Sequence, residues 1–455
     1  MRRRDLTQGQ RGELELTGLA PSGDAIGLHP SGIEVQVAGG LPGERARVRI
    51  EHVSRGAPRA FATLEQALVP SPSRRIAPCR HQGRCNGCPL MIADEPTQRR
   101  LKRDMLHERF GLVVEPLVHV PDAELGYRWS SKRVVGGRPG RVVVGSYRRG
   151  THRLADMTGC LVDDPAIAAC ADELASVASQ QGIAPYAEGA GRAGVLRYAW
   201  LKTDGHGQVL LCLILAEPGR ALAADLAGRL GRASGVSCSV QPSQGNALRG
   251  EAPEHLTGRA KLDIELAGAP LEVGPLGFLQ PNPRAAALAY RDLVVGPDGA
   301  PVAGAIALDL YAGAGATTHL LRERFEQVLC CEAFPESAAE LGVPPERVEA
   351  FLERLVRRQG IDAAVSAFAE SAPRAVDLVI ADPPRAGLGP EVCRLLGRLR
   401  PKRLHLMSCN PASLARDLGE LGRSAAGFEL RALRAYDTLP QTPHVELVAW
   451  LEPRG

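Results

Sequence analysis

Apolar and polar residues alternate in short runs over residues 9–68. The runs are Gly12-Glu-Leu-Glu-Leu16, Gly32-Ile-Glu-Val-Gln-Val-Ala38, Glu44-Arg-Ala-Arg-Val-Arg-Ile50 and Arg59-Ala-Phe-Ala-Thr-Leu64. A period of two, with Gly and Pro between the runs, predicts half-buried strands joined by tight turns. Five short strands of this kind predict a small OB-like barrel.

The pattern then changes. Gln98–Arg109 has helical spacing and is strongly basic. Residues 163–181 and 221–230 also predict helices, and Val236–Val240 a strand. Arg197–Thr203 and Gln208–Leu215 flank Asp204-Gly-His-Gly207, a hairpin signal. Cys212 and Cys238 fall in these apolar runs and are expected in the core. After residue 284, apolar strands alternate with helical spacing. Ala305–Leu310, Gln327–Glu332, Ala375–Ala381 and Arg403–Met407 each run into a loop and then a helix, which predicts a largely parallel α/β sheet. The expected fold is therefore α/β and multidomain. It comprises a barrel over 1–68, a central α+β region over 69–283 and a Rossmann-like domain over 284–455.

Charge adds a direction to this plan. Residues 1–160 carry 26 Lys and Arg against 16 Asp and Glu, whereas the remainder carries 29 against 35. A basic front suits a polyanionic partner. Tyr127-Arg-Trp-Ser-Ser-Lys-Arg133 and Val144-Gly-Ser-Tyr-Arg-Arg-Gly-Thr-His-Arg153 interleave cations with aromatic rings, the pairing that holds phosphates and stacks unpaired bases. Met1-Arg-Arg-Arg-Asp5 leads into a polar run instead of an apolar one, and no apolar run is long enough to cross a bilayer, so a cytoplasmic protein without a membrane partner is expected. The 11 cysteines are then expected reduced. Cys79, Cys85 and Cys88 stand at C-x5-C-x2-C spacing, a metal-ligand pattern, with Cys160 as the fourth candidate. Four thiolates suit an iron–sulfur cluster or zinc equally well.

Chemistry concentrates in the rear half. Asp309-Leu-Tyr-Ala-Gly-Ala-Gly315 is a strand end followed by a glycine turn and a helix start, which lets backbone N–H groups approach a ligand. The third glycine of a dinucleotide fingerprint is missing, and Glu332 ends the next strand where a ribose's hydroxyls would lie. Asp309, Gly313, Gly315 and Glu332 together look like the class I S-adenosylmethionine fold. Asp382-Pro-Pro-Arg385 closes a third strand with a rigid loop. Cys409, in Ser408-Cys-Asn-Pro411, sits where a strand hands over to a helix, and a helix N-terminus there would lower its thiol pKa. Glu446 opens the last strand. A cysteine protease using Cys409 and His444 is the hydrolase alternative, but it leaves the glycine turn and the basic front unexplained.

Asp382-Pro-Pro-Arg385, Ser408-Cys-Asn-Pro411 and Gln441-Thr-Pro-His-Val-Glu446, in this order, resemble the RNA uracil-C5 methyltransferases. Leu16–Gly27 with Leu41-Pro-Gly-Glu44 is similar to the RNA-binding TRAM barrel. With the four cysteines, the chain resembles the iron–sulfur 23S rRNA members. The resemblance implies S-adenosylmethionine as methyl donor, a [4Fe-4S] cluster on Cys79, Cys85, Cys88 and Cys160, and an unpaired uridine of RNA as substrate. It also implies a monomer. Cys409 would be the nucleophile and Glu446 the proton acceptor, and Asp382 would orient the base. Phe278-Leu-Gln-Pro-Asn282 is similar to the family's F-x-Q-x-N, which implies Gln280 as a cofactor contact beside Tyr311, Gly313, Gly315, Glu332 and Asp382.

Two positions depart from the family pattern. Ala316 replaces the usual Asn, and the stretch after Glu332 looks shortened around Ser337–Pro345. An RNA-binding protein with weakened or lost methyl transfer is therefore the second functional class.

Overall fold

A computed structural model of the chain describes residues 6–148, 151–187, 194–243, 248–357 and 376–454. The basic start Met1–Asp5, Arg149 and Gly150 of the second basic-aromatic stretch, and Ala375 at the expected strand start lie outside the described residues. The chain divides into two compact units, one of residues 1–118 with 439–445 and one of residues 119–438 with 446–455.

The first unit holds the expected barrel. Its strands are β1 (Arg11–Leu19), β2 (Ala25–Leu28), β3 (Glu34–Ala38), β4 (Arg45–Val53) and β5 (Arg59–Val69). They close in the order β1-β2-β3-β5-β4. Alternation drives closure, because Leu14, Leu16, Val35, Val37, Ala46, Val48, Ile50, Ala60 and Ala62 all turn inward to one apolar core. Helix α1 (Glu95–Phe110) begins at Asp94, whose carboxylate accepts from Thr97 N at 2.9 Å, and ends at Gly111 in the left-handed region.

Residues 439–445 are far from this unit in sequence yet are clamped within it. Gln98 and Gln441 exchange two hydrogen bonds, from Gln98 Nε2 to Gln441 Oε1 at 2.8 Å and from Gln441 N to Gln98 Oε1 at 2.9 Å. Lys102, fully buried, donates to the Leu439 and His444 carbonyls at 3.0 and 3.1 Å. One lysine of the basic helix is thus spent on structure.

The second unit contains two large sheets and a two-stranded one. The larger has the order β12-β11-β10-β9-β6-β7-β8. Its strands are β6 (Ser130–Arg138), β7 (Arg141–Tyr147), β8 (Leu154–Asp156), β9 (Leu196–Thr203), β10 (Val209–Leu215), β11 (Gly235–Val240) and β12 (Glu254–Gly258). Helices α2 (Pro165–Gln180) and α3 (Arg220–Ala227) supply Leu174, Ala178, Ala223 and Leu226 to the core on one face. Cys212 and Cys238 are buried, as expected. Part of the expected basic-aromatic surface turns inward. Tyr127 is buried, and Arg133 is buried in an ion pair with Asp163 because strand alternation turns it to the same face as core residue Val135.

A hairpin of β13 (Leu262–Leu266) and β14 (Ala269–Val273) precedes the second sheet. That sheet runs β16-β15-β17-β18-β20-β19. Its strands are β15 (Gly304–Leu310), β16 (Phe325–Cys331), β17 (Leu378–Ala381), β18 (Leu404–Ser408), β19 (Glu429–Tyr436) and β20 (Glu446–Glu452). The first four are parallel, whereas β20 is antiparallel to both β18 and β19. The accompanying helices are α4 (Pro283–Leu293), α5 (Ala316–Arg322), α6 (Pro335–Leu341), α7 (Val348–Arg357), α8 (Gly389–Leu399) and α9 (Pro411–Arg423). Among the described residues no strand lies between β16 and β17, and β16 forms the sheet edge. From β15 the chain steps to β16 on one side and then to β17 on the other. This reversal opens a crevice at the carboxyl ends of β15 and β17, where open α/β sheets bind ligands. No helix among the described residues is long and apolar enough to cross a membrane.

Candidate active site

Strand direction decides which side chains meet. Tyr311 follows β15, Asp382 follows β17 and Cys409 follows β18, so all three leave carboxyl ends of parallel strands. Because β20 runs the opposite way, its amino end lies at that same edge. Ser408 pairs with Leu447, which puts Cys409 and Glu446 at the adjoining positions just past the ladder. Residues far apart in sequence therefore converge by topology alone.

The carboxyls in this crevice are costly. Glu446 is buried, and its Oε2 has no hydrogen-bond partner among the described residues. Burial, and then the charge of Asp382, push its carboxyl well above the usual range, with Arg385 opposing. Asp382 is raised for the same first reason and then by Asp309, while a hydrogen bond from Tyr290 opposes. Two such carboxyls share one negative charge more readily than they carry two. An unspent buried acceptor in a native fold calls for an explanation, and a substrate proton is one.

Cys409 is half-buried. Its thiol is pushed up by burial first and then by Glu446 and Asp382, while the charge and a hydrogen bond of Arg385 pull it down. The expectation that the following helix would lower it is corrected here. Burial and two carboxyls raise it, and Arg385 is the group that favours thiolate.

The loops carrying these groups are braced. Asn410 caps α9 by accepting from Ala412 N at 3.1 Å, and its Nδ2 donates to the Arg385 carbonyl at 2.9 Å. Asp417 Oδ2 accepts from Leu388 N at 2.7 Å. Gly387 has φ +81°, and a Cβ there would stand 2.2 Å from Asp417 Oδ2. Only glycine fits both the conformation and the space.

On the opposite lip, Tyr311 has φ +62°, a strained state for a residue with a side chain, and Gly313 and Gly315 are also left-handed. Glu332 Oε2 accepts from Gly313 N at 2.8 Å and Oε1 from Phe334 N at 2.6 Å. One oxygen thus holds the glycine turn and the other the backbone just after β16. Asp309 takes the hydroxyls of Thr317 and Thr318 at 2.7 and 2.6 Å, and burial pushes its carboxyl up to about 6. Buried Gln280 donates to the Tyr290 hydroxyl at 3.1 Å, and Tyr290 in turn hydrogen-bonds Asp382. Tyr290 gave no polar signal in the sequence beyond its place on the buried face of an amphipathic helix.

These features bear comparison with known proteins. The tRNA (uracil-5-)-methyltransferase family model matches residues 369–454, which include Asp382, Cys409 and Glu446. An RNA methyltransferase of Geobacter sulfurreducens is 30% identical over 460 residues, covering 96% of this chain and 89% of that protein. The chain belongs to the RNA (uracil-5-)-methyltransferase family. A second RNA methyltransferase, from Synechocystis, is 30% identical over 461 residues, covering 98% and 96% of the two chains. The tRNA (uracil-54, C5)-methyltransferase of Pyrococcus abyssi, solved with S-adenosyl-L-homocysteine, shares the fold at a TM-score of 0.72 and 23% identity, over 97% of this chain and 99% of that one.

Family members act on RNA and take their methyl group from S-adenosylmethionine. The left-handed turn at Tyr311–Gly315 and the crevice beside it fit such a donor. The cysteine pattern is different. Cys79, Cys85, Cys88 and Cys160 are each half-buried. Among the described residues no group of three or more His, Cys, Asp or Glu is gathered to hold a metal ion.

Proposed function

We propose that this protein methylates C5 of an unpaired uridine in RNA through a covalent adduct on Cys409. The single observation that carries the reading is the juxtaposition of Cys409 with Glu446, a buried carboxyl bearing an oxygen without a partner. Uracil C5 is a weak nucleophile, so a thiolate must first add to C6. In the proposed sequence the Cys409 sulfur forms a bond to C6, and the pyrimidine's electron pair moves to C5 as an enolate. C5 then takes the methyl group that S-adenosylmethionine supplies. Glu446 accepts the proton from C5, the C6–S bond breaks, and the electron pair returns to Cys409 as thiolate. Arg385 stabilises that thiolate at the start and the end. Asp382, oriented by Tyr290, is assigned to holding the base. Gln280, Tyr311, Gly313, Gly315 and Glu332 are assigned to the methyl donor.

The 23S rRNA assignment and the TRAM identity of the barrel are supported by the sequence resemblance and by the five-strand closure. The [4Fe-4S] cluster rests on the cysteine spacing and on the sequence resemblance, with zinc as its rival. Iron and acid-labile sulfide in anaerobically purified protein test it, and zinc in their place would overturn it.

RNA carrying 5-fluorouridine has no C5 proton for Glu446 to remove. The reaction should therefore stop as a complex linked through Cys409. Recovery of the unmodified Cys409 peptide from enzyme active on ordinary RNA would sink the mechanism. Ala316, in place of the usual Asn, and the shortened stretch after Glu332 motivate the second reading, an RNA-binding protein with weakened or lost methyl transfer. Calorimetry with S-adenosylhomocysteine separates the two, because a degenerate pocket gives no heat.

A further inference from the structure

The larger sheet of the second unit has one face covered by α2 and α3. The other face carries Tyr198, Trp200, Cys212 and Ile214, with Leu276 and Leu248 packed on it. Lys132 pairs with Trp200 across β6 and β9, and Lys202 follows two residues after Trp200, so strand alternation puts all three on this face. The Lys132 ammonium lies 4.1 Å from the centre of the Trp200 ring. Arg249 stacks on Phe334 with 3.7 Å from guanidinium carbon to ring centre. Phe334 is the residue whose N–H is held by Glu332, so Arg249 stands beside the glycine turn.

The charges here do not balance. Lys202 is buried and donates to the Gly274 and Pro275 carbonyls. Arg249 pairs with Glu336 at 3.4 Å. Lys132 has no carboxylate partner among the described residues; burial, and then the neighbouring Arg249, hold its ammonium below the ordinary value. Lys202 is pushed down to about 7, by burial first and in part by these same two cations. Among the described residues these three cations therefore have one carboxylate, Glu336, between them. The buried Trp200 Nε1 has no acceptor either. A fold that holds like charges together over aromatic rings, with an unspent N–H donor, is built to receive an anion.

We propose that Lys132 and Arg249, on the Trp200 face of the larger sheet, form a subsite for a backbone phosphate of the substrate RNA strand. This inference rests on the proposed RNA substrate. A phosphodiester fits better than a small free anion, because the cations lie over aromatic rings near the methyl-donor turn, with an exposed ring at Phe278. Phe278, 59% exposed, follows shortly after the carbonyls that Lys202 holds. A single strand offers both phosphate and rings to such a surface.

The probe is a short single-stranded uridine-containing RNA, with affinity measured across salt concentrations. Each phosphate contact on a single strand contributes about 0.7 to the slope of log K against log salt. Lys132→Gln should lower that slope by about 0.7, whereas Lys132→Arg should restore it. S-adenosylhomocysteine affinity of Lys132→Gln should equal that of wild type, which also shows that the variant is folded. A neutral methylphosphonate linkage, moved along the strand, should cost wild type affinity at one position and cost Lys132→Gln less there, since only Arg249 remains. Equal slopes in wild type and Lys132→Gln would overturn the subsite. No salt-dependent RNA binding by wild type would instead overturn the functional reading beneath it.

Discussion

Asn410 ties the loop of the proposed nucleophile to the loop of the cation that favours its thiolate, donating from Nδ2 to the Arg385 carbonyl at 2.9 Å. The same side chain caps α9 through its oxygen. One residue thus sets helix stability with one atom and active-site geometry with another, and the two roles are separable by substitution. Asn410→Ala should lose both, costing about 1 kcal/mol of stability from the cap. Asn410→Asp keeps the cap but cannot donate to Arg385, and it adds a negative charge beside Cys409. Its thermal midpoint should stay near wild type while the rate of adduct formation falls at least tenfold. Equal rates for wild type and Asn410→Asp would remove the tie from the mechanism.

Arg385 is the group that opposes two carboxyls at the thiol. Removing a cation that stabilises the thiolate raises the thiol pKa. In Arg385→Gln the pH dependence of Cys409 alkylation, followed on the Cys409 peptide by mass spectrometry, should therefore shift to higher pH. An unchanged midpoint would show that Arg385 does not activate the thiol.

Tyr290 connects Gln280 to Asp382. Its O–H favours the charged form of Asp382, against burial, Asp309 and, through the shared charge, Glu446. Tyr290→Phe should push Asp382 higher still. The acid limb of the methylation rate should move up in pH, and the Gln280 amide, left without its acceptor, should cost about 1 kcal/mol. A stability loss with an unmoved acid limb would make Tyr290 a packing residue only.

Asp309 carries a stability signature. Its folded pKa, about 6, lies above the ordinary 3.8 because of burial. A raised acid contributes its full stability below the unfolded value and loses it as pH rises through the folded one. The loss here is at most about 3 kcal/mol. Asp309→Asn does not titrate. Between pH 4 and 7 wild type should lose unfolding free energy relative to this variant, as measured by denaturant titration at each pH. Parallel curves would mean that Asp309 is charged throughout.

The barrel, the hairpin at Asp204–Gly207 and the parallel run of β15 to β18 were legible because each is a local pattern of alternation, turn residues and strand–helix handover. The positions of Asp382, Cys409 and Glu446 at strand ends were legible for the same reason. Tyr290 was not, since its partners lie on other elements and a tyrosine on an amphipathic helix reads as core. Lys102 and Arg133 read as basic surface, yet each is buried against groups that no local pattern reveals.

The sequence by itself determined which residue types stand at the ends of strands, because period, turn chemistry and motif order are written in neighbouring residues. Only the tertiary structure decided that β20 returns antiparallel beside β18 and brings Glu446 to Cys409. It also decided that residues 439–445 belong to the barrel unit and that burial raises the thiol instead of lowering it. Those outcomes depend on which distant groups share one low-dielectric space, and sequence distance carries no information about that.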